Sequence, residues 1–153
     1  ELAAPWRNLQ PAHALNGRGD LQIATAQEIA DLPASAGCHL FALIFLQSVI
    51  GNPSQRNPQR MQHIWKIADR VTSSLLETLP PSDRPWLLHQ RAAYAFLAGQ
   101  RTQAQAAVTR LGSDFNPAKL PQGVDRKRFQ SELEATATPP VLEDKPVEPP
   151  SDF

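Results

Sequence analysis

The feature that most constrains the fold is an amphipathic stretch between residues 58 and 78. Its apolar residues recur at intervals of three and four, as Met61, Ile64, Trp65, Ala68, Val71, Leu75 and Leu76. This spacing places them on one face of an α-helix, which turns once every 3.6 residues or so. The opposite face is polar and carries Gln59, Gln62, His63, Lys66, Asp69, Arg70, Ser73 and Glu77. The pattern predicts a helix with one buried face and one solvated face.

Capping signals bound this helix. Asn57 can accept a backbone hydrogen bond at its start, and Pro58 is favoured in a first turn. Pro80 and Pro81 end it after Leu79, because proline cannot continue a helix and disfavours helical geometry in the residue before it.

Another helix is predicted just upstream, from Ala36 to Ile50. Its central part, Leu40 to Leu46, is a continuous apolar run. The run is far shorter than the roughly 20 residues that a membrane span needs. We therefore expect a central helix that packs on several sides. Cys38, the single cysteine, lies at its start and is expected to be a buried thiol.

A helical hairpin is predicted between Ser82 and Leu111. Ser82 and Thr102 can cap its two helices, the first running to about Ala98, and Gly99 supplies the turn. Expected inward residues are Trp86, Leu88, Ala92, Ala93, Ala95, Phe96 and Leu97 in the first helix, and Ala104, Ala107, Val108 and Leu111 in the second. So short a turn forces the two helices to be antiparallel.

Beyond Gly112 we expect an ordered loop and then a short helix capped by Asp125. The apolar anchors are Phe115 and Leu120 in the loop, and Phe129 and Leu133 in the helix. The basic run from Arg126 to Arg128 is short and has glutamates nearby, so it is interpreted as a solvated face rather than a nucleic-acid patch.

Charge and motif content argue against several function classes. The chain carries 15 basic and 15 acidic side chains, and this neutrality is a poor match for the phosphates of nucleic acid. The histidines, at positions 13, 39, 63 and 89, lack the short spacings of a metal site. Trp6, Trp65 and Trp86 occupy apolar positions and are expected in the core. We expect no metal, no cofactor, no catalytic motif and no direct membrane insertion.

The composition changes at Thr136. The remaining residues hold five of the fifteen prolines and carry a net charge of about minus three, with little apolar content. We therefore predict a helical domain over residues 1–135 and a flexible, acidic, proline-rich tail or linker over residues 136–153.

Two segments of the predicted domain, near its start and 80 residues later, have similar sequences, and we call this similarity the echo. Laying residue 5 on residue 85 without gaps pairs Pro5 with Pro85, Trp6 with Trp86, Gln10 with Gln90, Ala12 with Ala92, Gly19 with Gly99, Ala24 with Ala104, and Ala26 with Ala106. Several of these matches fall where the helices of a hairpin must approach closely. The tripeptide Arg18-Gly19-Asp20 is thus interpreted as the bend of a hairpin, with a left-handed or close-packed glycine, rather than as a cell-adhesion motif.

These matches resemble the tetratricopeptide-like repeat family. Its small, turn and close-packing positions are occupied by Ala92, Gly99 and Ala104, and again by Ala12, Gly19 and Ala24. The sequence departs from the family pattern at Leu15 and Ala95, where a tyrosine is usual, at Asp31 and Leu111, where a small residue is usual, and at Pro11 inside the first helix. The resemblance implies an all-α, solenoid-like stack of antiparallel helical hairpins that holds a peptide or another protein.

Three functions remain open. The first is a non-catalytic module that binds a protein or peptide as a scaffold or adaptor in a larger assembly. The second is a structural or regulatory helical domain appended to an enzyme or membrane protein, with the acidic tail as linker. The third is a small hydrolase or transferase, which would need a cleft with convergent polar residues. We expect a soluble protein and favour the cytoplasm over the periplasm or secretion. No residue pattern marks the partner-binding surface.

Overall fold

The computed structural model describes residues 18–137, which form six α-helices and, within that range, no strand. The helices are α1 (Gly19–Asp31), α2 (His39–Ile50), α3 (Pro58–Thr78), α4 (Arg84–Leu97), α5 (Arg101–Leu111) and α6 (Arg126–Ala137). The predicted all-α class is confirmed for this part of the chain. Helix α6 continues two residues past the predicted start of the tail. The predictions for Trp6, His13, the Ala12 end of the echo and residues 138–153 lie outside the described residues.

Two helix pairs flank the longest helix. Helix α1 packs against α2, and α4 packs against α5. Helix α3 lies between the pairs, contacting α1, α2 and α4, and α6 packs against α5. In none of the helices of residues 18–137 are length and hydropathy sufficient to cross a membrane.

Helix α3 confirms the amphipathic pattern. All seven apolar residues that the spacing assigned to its inner face are buried, and so are Ile67 and Thr72. Its predicted polar face is largely exposed. One stripe of α3 therefore faces the core, as a period of 3.6 residues requires.

The most deeply buried helix is α4, although the sequence had suggested that α2 would be central. Every residue of α4 from Leu87 to Phe96 is buried, with the exception of the half-buried Arg91. Its three alanines, Ala92, Ala93 and Ala95, are fully buried. Small side chains let neighbouring helices approach closely, and this explains why a less apolar sequence is the most deeply buried.

Helix α2 begins later than predicted. A 3-10 turn occupies Ala34–Ala36, and Gly37 then adopts a φ of 67°. This left-handed geometry interrupts a helix, so α2 begins at His39. Cys38 is fully buried, as predicted.

Two of the four predicted helix caps are wrong. Ser82 lies within the 3-10 turn Pro81–Asp83, and Thr102 lies inside α5; neither helix has a side-chain cap. Asn57 and Asp125 are caps as predicted, because each accepts a hydrogen bond from the backbone N–H of the third residue after it, at 2.8 and 3.1 Å. Serine and threonine act as caps only at the exact helix boundary, and here the boundaries were displaced.

Tyr94 connects α4 to the middle of α2. Its side chain is fully buried, and its hydroxyl donates a hydrogen bond to the backbone carbonyl of Leu43 at 3.1 Å. Burial raises the pKa of the Tyr94 phenol well above its usual value, so the group remains a neutral donor. The hydrogen bond fixes one buried helix relative to another that is distant in sequence.

Replacing Tyr94 with phenylalanine is expected to lower the free energy of unfolding by about 1 kcal/mol. The ring still fills its site, and only one neutral hydrogen bond is lost. Urea denaturation of the wild-type chain and the variant measures the difference. An unchanged stability would show that the hydrogen bond contributes nothing to the packing of α4 against α2.

Candidate partner-binding surface

The histidines do not converge on one site. His63 is exposed on α3, whereas His39 and His89 are buried at separate places. Within residues 18–137, no cluster of three or more histidine, cysteine or acidic side chains is arranged to hold a metal ion. Each buried histidine instead serves a local contact.

His39 bridges the α1–α2 connection and α3. Its Nε2 lies 2.7 Å from the carbonyl oxygen of Leu32, and its Nδ1 lies 3.2 Å from Oγ of Ser74. A carbonyl can only accept, so Nε2 carries the proton and Nδ1 accepts from the serine hydroxyl. The contact has the pairing of a serine nucleophile and its base, but His39 is buried and neither residue lines the cavities described below. It is a structural bridge.

His89 anchors the loop after α5 to α4. Its Nδ1 lies 2.6 Å from the carbonyl oxygen of Pro85, and its Nε2 accepts a hydrogen bond from the backbone N–H of Asn116 at 3.0 Å. The ring also stacks on Phe115, with 5.7 Å between centroids. This loop is therefore ordered, as predicted, and Leu120 is buried within it.

Two open cavities flank the start of α3. One, of about 550 Å³, includes Arg56 and Arg128 in its lining; the other, of about 400 Å³, includes Asp20, Arg60 and His63. The arginines are engaged in the fold. Arg56 donates to the carbonyl of Gly123 at 2.8 Å, Arg60 donates to Gln55, and Arg128 pairs with Glu132. These contacts account for the three arginines without a ligand.

The tryptophans differ in exposure. Trp65 is buried on α3 as predicted, beneath the guanidinium of Arg91 at 5.1 Å from the ring centroid, and Arg91 also pairs with Asp69 at 2.7 Å. Trp86 is 43% exposed, so the prediction that it packs in the core is wrong. It lies in the first turn of α4, before the fully buried part begins at Leu87.

The basic run at the start of α6 is solvated, as predicted. Arg126, Lys127 and Arg128 are all exposed. Phe129 and Leu133 are buried and anchor the helix on its other side.

The Arg18-Gly19-Asp20 tripeptide lies at the start of α1. Gly19 is the first residue of the helix and does not adopt a positive φ. A Cβ atom there would lie 2.6 Å from Oε1 of Gln55, which is the end of a side chain that can rotate away. The left-handed alternative considered from the sequence is wrong for Gly19, although Gly99 does adopt it, with a φ of 75°.

One apolar surface stands out on the α1–α2 pair. Leu40, Phe41 and Ile44 on α2 are 38%, 37% and 47% exposed, and we call these three residues the α2 apolar face. Their spacing places them on one side of the helix. Leu21, in the first turn of α1, is exposed to a similar degree.

The opposite side of α2 forms part of the core. It buries Ala42, Leu43, Phe45, Leu46, Val49 and Ile50. Among the described residues, this side packs against α1 and α3 and accepts the hydrogen bond of Tyr94 from α4. Because exposed apolar side chains are grouped here, this side of α2 is the candidate interaction surface.

The sequence contained a signal for this surface that we interpreted differently. A helix that is apolar on all sides must be covered on all sides, either by its own chain or by another one. Periodicity does not tell which side the fold itself covers. No family model matches the chain, and comparison with curated proteins and with solved structures likewise gave no match.

Proposed function

We propose that the chain is a non-catalytic helical module that binds another protein, with the α2 apolar face as its binding surface. The observation that carries the proposal is the exposure of Leu40 and Ile44 on a helix that also belongs to the core. In water such a surface favours association, because covering it removes apolar area from solvent.

The partner that fits best is an amphipathic helix with basic flanks. The α2 apolar face runs from Leu40 to Ile44, a rise of about 6 Å along the helix axis, which one apolar stripe of a second helix can cover. Helix α1 beside it carries Asp20, Glu28 and Asp31, the last of which pairs with Arg70, and α2 carries no carboxylate, lysine or arginine. Lysines or arginines beside the partner's apolar stripe would complement this charge and guide the encounter.

A tetratricopeptide-like arrangement is part of the proposal. The residues that carried the resemblance support it in α4 and α5, since Ala92 and Ala104 are fully buried and Gly99 occupies a left-handed turn between the two helices. Proteins built from stacked hairpins of this kind use the surfaces of their helices to hold peptides and other proteins.

Replacing both Leu40 and Ile44 with serine is expected to weaken partner binding at least tenfold and to change the free energy of unfolding little, because both side chains are already partly in water. The native complex is purified through a tag on the chain, and the amount of stoichiometric partner is measured for each variant. Replacing both Gln59 and His63 with serine is the matched control, with the same spacing on the solvated face of α3.

Loss of the partner only in the α2 variant supports the proposal. Retention of the partner by that variant, or an equal loss in the α3 control, would contradict it. Thermal unfolding of both variants separates lost binding from lost folding.

A further inference from the structure

The larger of the two cavities beside α3 lies where the starts of α3 and α6 meet the end of α4. We call it the Arg56–Arg128 cavity, and its lining includes Arg56, Asn57, Met61, Gln62, Leu97 and Arg128. Its volume of about 550 Å³ is within the range of about 300–1,000 Å³ that ligand sites occupy. The space is therefore large enough to hold a ligand.

The charges at this cavity are predominantly positive. Of the described residues that line it, only Arg56 and Arg128 carry a charge. Glu132 pairs with Arg128 at 2.7 Å, and its other carboxylate oxygen pairs with Arg101 of α5. One carboxylate is thus shared by two guanidiniums. This sharing leaves an excess of positive charge beside the cavity.

The contacts that hold the two arginines in place use few of their hydrogen-bond donors, since a guanidinium has five N–H groups. Among the described residues, the Arg56 side chain donates only from Nη1, to the neutral carbonyl of Gly123 at 2.8 Å. The Arg128 side chain donates only from Nε, to Glu132, and its guanidinium lies 5.9 Å from the centroid of the Phe96 ring. The fold therefore positions both groups and leaves their other donors for an anion.

We propose that the Arg56–Arg128 cavity binds an acidic segment of a partner protein, with carboxylates of that segment bound by Arg56 and Arg128. Arginine binds a carboxylate through two parallel N–H···O hydrogen bonds, which need two unused donors on one guanidinium. Met61, Leu97 and Ala98 line the same cavity. They provide apolar surface for the aliphatic part of a glutamate or for a neighbouring apolar side chain.

The surroundings of the cavity favour an acidic peptide over a single small anion. Arg126 and Lys127 are exposed in the same first turn of α6 as Arg128. They extend the positive charge beyond the cavity, against the one carboxylate of Asp125, which caps the helix. A segment with several acidic residues can contact both the cavity and this run. Its charge is opposite to that of the partner proposed for the α2 apolar face, so the two surfaces bind different segments.

An NMR titration of the isotope-labelled full-length chain with an acidic peptide tests the proposal. The probe is the blocked peptide Gly-Glu-Glu-Leu-Glu-Gly, and the comparison peptide has glutamine in place of each glutamate. The side-chain Nε–Hε signals of Arg56 and Arg128 report directly on the two groups that are proposed to bind carboxylates.

Two variants remove the proposed contacts and keep most of the local structure. Arg128→Gln changes an exposed side chain, and Arg56→Lys keeps a cation that can donate to Gly123 but lacks the planar fork. Each should raise the dissociation constant of the acidic peptide about fivefold or more. The matched control is Arg84→Gln, which removes an exposed arginine that lines none of the described cavities. It should change the affinity less than about twofold.

We expect the acidic peptide to bind with a dissociation constant below about 1 mM and to shift the signals of Arg56 and Arg128, and the glutamine peptide not to bind. Unshifted signals, equal binding of the two peptides, or an equal loss of affinity in Arg84→Gln would overturn the proposal. Inorganic phosphate that binds as tightly as the peptide would also overturn it and would assign the cavity to a small anion. Neither peptide tests the α2 apolar face, so this result and the test of the proposed function are independent.

Discussion

Phe129→Ala is expected to lower the free energy of unfolding by about 3–5 kcal/mol, the range for removing a buried aromatic ring. Phe129 is fully buried and is the main anchor of α6. Its ring meets Phe96 of α4 edge-on, with 4.9 Å between centroids, and stacks on Phe115 of the preceding loop at 5.9 Å. The substitution therefore removes contacts to two other elements at once and leaves a cavity among them.

Urea denaturation measures this loss, and two variants control it. Phe129→Leu keeps an apolar side chain and should lose clearly less stability. Gln130→Ala changes the neighbouring exposed residue and should be nearly neutral. A loss below about 1 kcal/mol for Phe129→Ala would show that α6 does not depend on this aromatic cluster.

Gly123→Ala should have the second large effect, a loss of about 2–5 kcal/mol. Gly123 has a φ of 100°, and an added Cβ would lie 2.6 Å from the carbonyl oxygen of Ile50 and 3.2 Å from Cα of Gly51. These are backbone atoms at the end of α2, which cannot rotate away as a side chain could. Backbone strain and overpacking each cost about 1–3 kcal/mol, and they act together here.

Gly99→Ala is the matched control for this prediction. Gly99 also has a positive φ, of 75°, but a Cβ atom there would meet nothing within 4 Å. Only the strain of a left-handed backbone applies there, so the free energy of unfolding is expected to fall by about 1–2 kcal/mol. Thermal or urea unfolding of both variants provides the comparison. Equal losses would show that the close approach of Gly123 to α2 is unimportant for stability.

The sequence predicted the fold most accurately where a local pattern allows only one structural outcome. The apolar stripe of α3 is buried because a helical period leaves a single face for the core. Asn57 and Asp125 are caps because their side chains reach the N–H groups of a helix that begins directly after them. Phe129 and Leu133 anchor α6 because that helix has few other apolar residues to bury.

Elsewhere the fold depended on contacts that no local pattern contains. Helix α4 is deeply buried because its alanines permit close packing, and because Tyr94 and His89 form hydrogen bonds with Leu43 and Asn116, far away in the sequence. Helix α2 is more apolar than α4, but hydrophobicity alone does not tell which elements will surround a helix. For the same reason, the sequence did not predict the α2 apolar face. The run from Leu40 to Leu46 was recognised as unusual, but its exposed side was not.

Site-specific photo-crosslinking tests the central claim, that the α2 apolar face binds another protein. A photoreactive phenylalanine analogue replaces Ile44 in one variant and His63, on the solvated face of α3, in the other. After irradiation in the native cell, the variant with the analogue at position 44 should form one crosslinked adduct of defined mass, larger than the chain alone. The variant with the analogue at position 63 should form no adduct of that mass. No adduct at position 44, the same adducts at both positions, or a crosslink confined to the chain's own residues 1–17 would contradict the claim.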